Sequence, residues 1–478
     1  MFPFLNQIRF LLNRAQVEEK NDATALSDAA RLFVDFYQSY SSHFIGWGMN
    51  SVGHARHYLS GLLGTQRRKN IEVIGEDVSG STYQGMKQFI SSSPWDHRKL
   101  MDQVARDANA LLGDYEQAGL YIDESSFLKK GNASVGVQRQ WSGRAGKVDN
   151  CQVGVFACLG QGERVCLTDY RLYLPKDWTE DESRLQRAGV PEDCRDYQSK
   201  HDQALDMIKH AKEQGLRFGW VGFDSLYGSK RELVNAVEDQ GLKFVGDVNK
   251  TTKVWLNKPD LSAPEDQQAS PKGGRPVKNY RLTQNNTARY ETVEKLRIEY
   301  FEEDSRKVKY RQGAKGELWT RIWVKEVWTW EPGIEDARKR LLIVRGNSDG
   351  SFKYSLSNLP GGRDWAYYGW TQGQRFWIEH AFHEAKSQLG MAQYQVRVWR
   401  GWHHHMAMVS MALLFTQKLQ LKLADNAPLL SVRDITELLD YYLPRKRIDE
   451  AEVLKTIYDR HKRRRLDLDR RIERINGL

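Results

Sequence analysis

Long apolar runs are missing from this chain; the nearest, Met406 to Phe415, is too short to span a bilayer, so a membrane-embedded role is excluded. The opening Met1 to Phe10 has no charged lead, apolar run and small-residue cleavage site in series, which predicts a protein that stays in the cytoplasm, nucleoid-associated if it binds DNA. Cysteine is scarce. Cys151, Cys158, Cys166 and Cys194 show no C-x-x-C spacing, and three of them fall in strand-like stretches, so they read as reduced core thiols rather than a disulfide frame or a zinc site. Negative charge is in deficit: 72 Lys and Arg against 62 Asp and Glu leave +10, with a pI of about 9.2. A basic balance on a chain of 478 residues, long enough for roughly two to four domains, points to a polyanion, because neutralised phosphates release counterions.

Against that background one stretch stands out, Arg375-Phe-Trp-Ile-Glu379-His-Ala-Phe-His-Glu-Ala-Lys386. It contains no Pro or Gly and ends shortly before Gly390, which predicts a helix with its stop signal. At about 100° per residue, steps of four and seven bring Arg375, Glu379 and Lys386 within roughly 60° of one another. Such a face can hold a divalent metal through the carboxylate while Arg375 and Lys386 grip phosphate. An exposed helix laced with Glu–Lys pairs would show the same spacing.

Taken in order, residues from about 24 to 117 read as helices and carry the basic cluster Arg67-Arg68-Lys69, suited to a DNA backbone or groove and equally to a solvated surface. From Ala118 the pattern changes to strands. Gly119-Leu-Tyr-Ile-Asp123-Glu124 ends in acids, Lys129-Lys130-Gly131 turns the chain, and Val148 to Leu159 and Arg164 to Leu174 follow. A helix from Asp202, a strand ending at Asp224, a helix from about Ser229 and a strand Leu242 to Val248 complete a mixed α/β sheet with a carboxylate at the end of two strands, where ligands gather in such sheets. Between Lys250 and about Arg340 helical periodicity fails, predicting a β-rich insertion with alternating segments Ala288 to Tyr300, Lys307 to Tyr310 and Glu317 to Trp330. Period two puts Trp319, Arg321, Trp323 and Lys325 on one face, aromatics and cations interleaved as unstacked bases and phosphates require, although buried sheet tryptophans give the same pattern. Arg340 to Arg345 and Phe352 to Leu356 return to the sheet. His403, His404 and His405, with His380 and His383, read as polar surface or DNA-facing groups, and the charged tail from Arg445 as a basic or merely solvated helix.

Asp123, Asp224 and Glu379 are therefore the candidate acids. Alternation points Asp123 and Glu124 to opposite faces, so one of the two joins the others. Three converging carboxylates suit two Mg²⁺ ions, with Mn²⁺ as substitute, about 3.5–4 Å apart around a phosphoryl transfer.

The runs Tyr121-Ile-Asp123, Ser134 to Gly154 and Arg171-Leu-Tyr-Leu-Pro, with Phe223-Asp224-Ser-Leu-Tyr-Gly228, resemble bacterial insertion-sequence transposases of the DDE class, as does Arg375-x3-Glu379-x6-Lys386 with Val396-Arg-Val-Trp-Arg-Gly-Trp-His403. The likeness runs from about Tyr58 to Phe415. It implies a ribonuclease-H-like α/β core interrupted by a β-rich insertion, with N- and C-terminal helical regions: a DNA-binding region over 1–117, core over 118–250, insertion over 251–340, core again over 341–425 and a basic helical region over 426–478. It implies Asp123, Asp224 and Glu379 as the metal-binding triad and Arg375 and Lys386 as phosphate contacts. Lys129, Lys130, Arg139, Arg144, Arg67, Arg68, Lys69, Arg321, Trp319 and Trp323 are the further candidates for contact with double-stranded DNA. The implied activity is cut-and-paste strand cleavage and transfer by a homodimer acting on terminal inverted repeats and a target DNA; the alternative is a domesticated relative that binds DNA as a regulator without cutting. Related enzymes with Tyr-x2-Arg-x3-Glu-x6-Lys pass through a hairpin and stack a flipped base on an insertion tryptophan. Here Gln372 stands at the tyrosine position, with Tyr367 and Tyr368 nearby.

Overall fold

The computed structural model describes residues 28–46, 49–66, 68–143, 145–264, 279–283, 287–313, 316–425, 427, 430–446 and 449–475. Arg67 and Arg144, the chain start and most of the 259–274 loop lie outside the described residues. The chain divides into two compact units, one of residues 1–100 with 384–478, the other of residues 101–383. Among the described residues no helix is long and apolar enough to cross a membrane.

Among the described residues, the 101–383 unit is built on one mixed sheet of twelve strands. In chain order these are β1 (Ala118–Leu128), β2 (Gln138–Ser142), β3 (Lys147–Gln161), β4 (Arg164–Leu172), β5 (Trp220–Phe223), β6 (Phe244–Val248), β7 (Lys253–Trp255), β8 (Tyr290–Thr292), β9 (Arg306–Gly313), β10 (Gly316–Thr329), β11 (Arg338–Gly346) and β12 (Phe352–Ser357). The core order is β4-β3-β1-β5-β6, with β3 antiparallel to both neighbours and β1, β5 and β6 mutually parallel. This is the ribonuclease-H-like arrangement.

Residues 151–160 of β3 are buried without a break, as a strand covered on both faces requires. The Tyr121 ring lies across three adjacent strands, and a Cβ on Gly119, Gly160 or Gly222 would come within 2.6–2.8 Å of it. Those three glycines leave the space that the ring fills. The helix Lys200–Glu213, started by a Ser199–Asp202 capping box, packs on β3 and β4, and the helix Arg231–Asp239 packs on β6.

The insertion is continuous with the core sheet: β6 pairs with β12, β12 with β11, and β11 with β10. Its two faces are covered separately. Val293, Leu296 and Phe301 of the helix Val293–Asp304 pack with Trp323, Val327, Leu342 and Val344 on one side, and Tyr368 of the helix Trp365–Gln374 packs with Ile322, Leu341 and Ile343 on the other. The expected alternating strand over Ala288 to Tyr300 is thus corrected. Only Tyr290–Thr292 is strand; Thr292 then caps a helix by accepting from the Lys295 N–H at 3.2 Å.

In the 1–100 and 384–478 unit, the helix Trp399–Lys422 is buried over nearly its whole length. The three histidines at its start are interior groups, which corrects the surface reading. His404 lies 3.0 Å from both the Ile90 and Trp95 carbonyls, and His405 Nδ1 lies 2.8 Å from the Tyr58 hydroxyl. Burial pushes His404 down to about 3, so it is a neutral hydrogen-bonding core residue at neutral pH. Cys151, Cys158 and Cys166 are buried free thiols, as their strand positions predict.

Candidate active site

Register brings the first acids together. Ile122 of β1 pairs with Phe223 of β5, and Phe223 with Gly246 of β6. Three parallel strands therefore run in step, and the next residues along them are Asp123, Asp224 and Asp247; β1 continues past Asp123 to Leu128, whereas the sequence pattern ends it at the acids. Neighbouring strands run about 4.8 Å apart, so three carboxylates line one edge of the core. The turn after Asp224 is pressed onto β6: a Cβ on Gly246 would sit 2.8 Å from the Gly228 backbone. Asp224 itself caps the short helix Ser225–Gly228, its Oδ1 accepting from the Leu226 and Tyr227 N–H groups at 2.9 and 3.2 Å.

The expected helix is present as Phe376–Ser387. Arg375 stands in the joint between it and Trp365–Gln374, and Gly390, at φ +72°, follows the helix in the left-handed region. Arg375 is 13% exposed and turns inward. Its Nη1 donates to Asp123 Oδ2 at 3.2 Å, its Nη2 to Glu379 Oε1 at 2.9 Å and its Nε to Asp247 Oδ2 at 3.2 Å. Asp224 adds to the same field. One guanidinium thus ties together acids from two parallel strands and a helix.

The electrostatics follow from crowding and burial. Burial pushes Asp123 up to about 7; Arg375 opposes this, while Asp224 and Glu379 add to it. Burial also raises Asp224, again against Arg375. Burial alone would lower Arg375, but the surrounding carboxylates raise it above the ordinary arginine range. Among the described residues no three His, Cys, Asp or Glu side chains already stand close enough to hold a metal ion. What the carboxylates converge on is the cation Arg375. A set of hard carboxylate oxygens gathered round one positive charge is nonetheless the donor chemistry a divalent ion requires. Glu124 is turned to Lys200 Nζ at 2.7 Å, which leaves Asp123 as the residue of that pair facing Arg375.

A family model described as DDE superfamily endonuclease matches residues 49–317, more than half of the chain. The chain belongs to the DDE superfamily of endonucleases. The matched stretch of this DDE endonuclease includes Asp123 and Asp224 and ends before Glu379. The chain is also 29% identical over 219 residues to the probable transposase for insertion sequence element IS701 of Microchaete diplosiphon, an alignment covering 45% of this chain and 53% of that protein. It therefore spans about half the length of that curated relative. A cryo-EM structure of the piggyBac transposase synaptic complex with hairpin DNA aligns over 87% of this chain and 79% of its own, at 10% identity and a TM-score of 0.38.

The remaining candidates separate by exposure. Lys130, Arg139 and Arg68 are exposed, while Lys129 is half-buried and pushed down to about 7 by burial. Lys69 is 4% exposed; its ammonium donates to the Leu62 and Gln388 carbonyls, and burial lowers it to about 7, so it does not face solvent as the basic cluster predicted. Lys386 is half-buried and falls in the 1–100 and 384–478 unit. On β10, Trp319 is 53% exposed, and Arg321 donates to Glu302 at 2.9 Å. Trp323, expected beside Trp319 as a base platform, is instead 2% exposed and stacked on Tyr300 at 5.7 Å and 9°, because the helix Val293–Asp304 covers that face. Gln372 is buried, donating to Ser355 Oγ at 2.8 Å and the Ile343 carbonyl at 3.3 Å. Tyr368 is also buried, with its hydroxyl donating to the Pro360 carbonyl at 2.6 Å, whereas Tyr367 is half-buried.

Asp247 is the residue that the sequence reading passed over. Its signal was available: Phe244-Val-Gly-Asp247 is a third apolar run reaching an acid, like those before Asp123 and Asp224. Only the parallel register shows that the three acids stand side by side.

Proposed function

We propose that this DDE endonuclease is a transposase that binds the terminal inverted repeats of an insertion sequence and carries out Mg²⁺-dependent strand cleavage and strand transfer, Mn²⁺ substituting. The observation that carries this reading is the gathering of Asp123 and Glu379 on the Arg375 guanidinium, with Asp224 in register beside Asp123. Asp123, Asp224 and Glu379 supply the oxygens that hold two divalent ions. When bound, those ions activate water or a DNA 3′-hydroxyl and steady the leaving oxygen.

The protein's own groups orient the strand. Lys386 and the exposed Lys130, Arg139 and Arg68 contact phosphates, and Trp319 offers a stacking face for an extruded base, offsetting the few kcal/mol of lost stacking. Two copies act together, so that both element ends are cut in one complex.

The test is an assay on linear DNA carrying the element's ends, with covalently closed hairpin ends scored alongside cleavage and joining. Asp123→Asn, Asp224→Asn and Glu379→Gln are each expected to retain end binding and lose cutting. Full cutting by any one of them removes that residue from the site. End binding without cleavage by the unsubstituted chain would turn the assignment to a DNA-binding regulator.

A further inference from the structure

Four carboxylates, Asp123, Asp224, Asp247 and Glu379, share the field of one arginine, and they are not equally free to move. Glu379 is 53% exposed at its side chain, and Arg375 is its ion-pair partner at 2.9 Å. Asp123 accepts from the Glu124 N–H at 2.8 Å on one oxygen and from Arg375 on the other. Asp247 is fixed on both oxygens: Oδ1 accepts from Ser355 Oγ at 2.6 Å, and Oδ2 faces Lys353 Nζ at 2.9 Å and Arg375 Nε at 3.2 Å. Ser355 is held in turn by Gln372 at 2.8 Å. A buried chain of donors thus pins Asp247, and Asp247 pins the Nε side of Arg375, leaving the two Nη groups on Asp123 and Glu379.

A divalent ion such as Mg²⁺ needs oxygens at about 2.0–2.1 Å. It cannot draw Asp123 and Glu379 together while the guanidinium forks between the same two oxygens. Yet without a cation, clustered carboxylates at this burial repel one another. We propose that Arg375 is the built-in counter-ion of the metal-free acid cluster, and that Asp247 is a positioning residue that keeps the guanidinium paired and beside the site when a divalent ion takes Asp123 and Glu379. The proposal rests on the reading of those acids as metal ligands. Metal entry breaks the two Nη contacts and preserves the Nε contact. The freed Nη groups would be available to a strand phosphate at the same acids.

The consequence is a competition measurable without DNA or turnover. Mn²⁺ is titrated into the full chain and its variants by calorimetry, with free Mn²⁺ followed by electron paramagnetic resonance. Coupling between two sites typically amounts to about 5–150-fold in affinity. Arg375→Gln is expected to bind Mn²⁺ at least about fivefold more tightly, because the competing cation is gone. Asp247→Asn is expected to bind about fivefold more weakly, because the displaced guanidinium loses its retained partner. The double variant is expected to match Arg375→Gln, since Asp247 acts only through Arg375. Arg375→Lys, which keeps the charge and loses the fork, should fall between the unsubstituted chain and Arg375→Gln, and it guards against a folding defect in the glutamine variant.

Weaker Mn²⁺ binding in Arg375→Gln with Arg375→Lys unchanged would overturn the counter-ion role. A loss from Asp247→Asn that persists in the Arg375→Gln background would make Asp247 a ligand rather than a positioning residue. If Asp123→Asn fails to weaken Mn²⁺ binding, the metal-site reading itself falls, and the inference with it. If Asp123→Asn weakens binding while Arg375→Gln changes nothing, the inference alone is overturned.

Discussion

Trp319 and Trp323 stand four residues apart on β10, and replacing each by alanine separates a DNA contact from a packing contact. Trp323 is 2% exposed and stacked on Tyr300, in a cluster with Val327, Leu342 and Val344. Truncating a buried tryptophan typically costs about 3–5 kcal/mol in lost transfer energy and residual cavity. Trp323→Ala should therefore lower the urea midpoint sharply. Trp319 is 53% exposed, and its ring has Lys307 Nζ 5.9 Å from the centroid. Its truncation should change stability by no more than about 0.5 kcal/mol. If the exposed ring stacks on a base, its loss weakens binding by about 1–3 kcal/mol, or about 5- to 150-fold at 1.4 kcal/mol per factor of ten. Urea unfolding and fluorescence-anisotropy titration of element-end DNA read the two effects on the same preparations. A Trp323→Ala protein as stable as the parent but deficient in DNA binding would refute the argument, and so would a strongly destabilised Trp319→Ala.

Asp224 is both a candidate ligand and a helix cap. Asp224→Asn keeps a capping oxygen and should leave stability within about 0.5 kcal/mol while abolishing cleavage; Asp224→Ala should lose about 1 kcal/mol more on thermal unfolding. Equal stability of the two variants would show that the cap contributes nothing. Lys386→Ala should weaken DNA binding and reduce the slope of log affinity against log salt by about one phosphate contact, close to 0.9; an unchanged slope would remove Lys386 from the interface. Lys69, pushed down by burial to about 7, binds fewer protons when folded than the unfolded chain does between about pH 7 and the ordinary lysine value near 10.4. Stability should therefore rise with pH across that window. The expected rise in urea midpoint from pH 7 to pH 9 should shrink in Lys69→Met, and an identical pH profile in that variant would refute the assignment.

Local pattern carried much of this protein. The strand through Asp123, the strand leading to Asp224 and the helix bearing Glu379 are set by local pattern within a few turns or residue pairs, so one pass along the chain finds them, although the first strand runs on to Leu128 instead of ending at the acids. The basic balance and the run from Arg375 to Lys386 are likewise properties of the chain itself. Burial of a given face is different, because it depends on what arrives from elsewhere. Trp323 alternates correctly with Ile322, yet both are buried, since helices distant in the chain cover opposite faces of the same strand. His404 is a polar residue that becomes an interior one because its ring packs against backbone carbonyls more than 300 positions away, one of which accepts the single N–H of the neutral imidazole.

The acid cluster divides the same way. Sequence determined which side chains are acids and that strands carry or lead to them; tertiary structure decided that Asp247 joins Asp123 and Asp224, through the parallel register of β1, β5 and β6. It also decided that Arg375 faces carboxylates. On an isolated helix that guanidinium would find only Glu379, four residues on; its contacts with Asp123 and Asp247 exist because the folded sheet presents those charges to it.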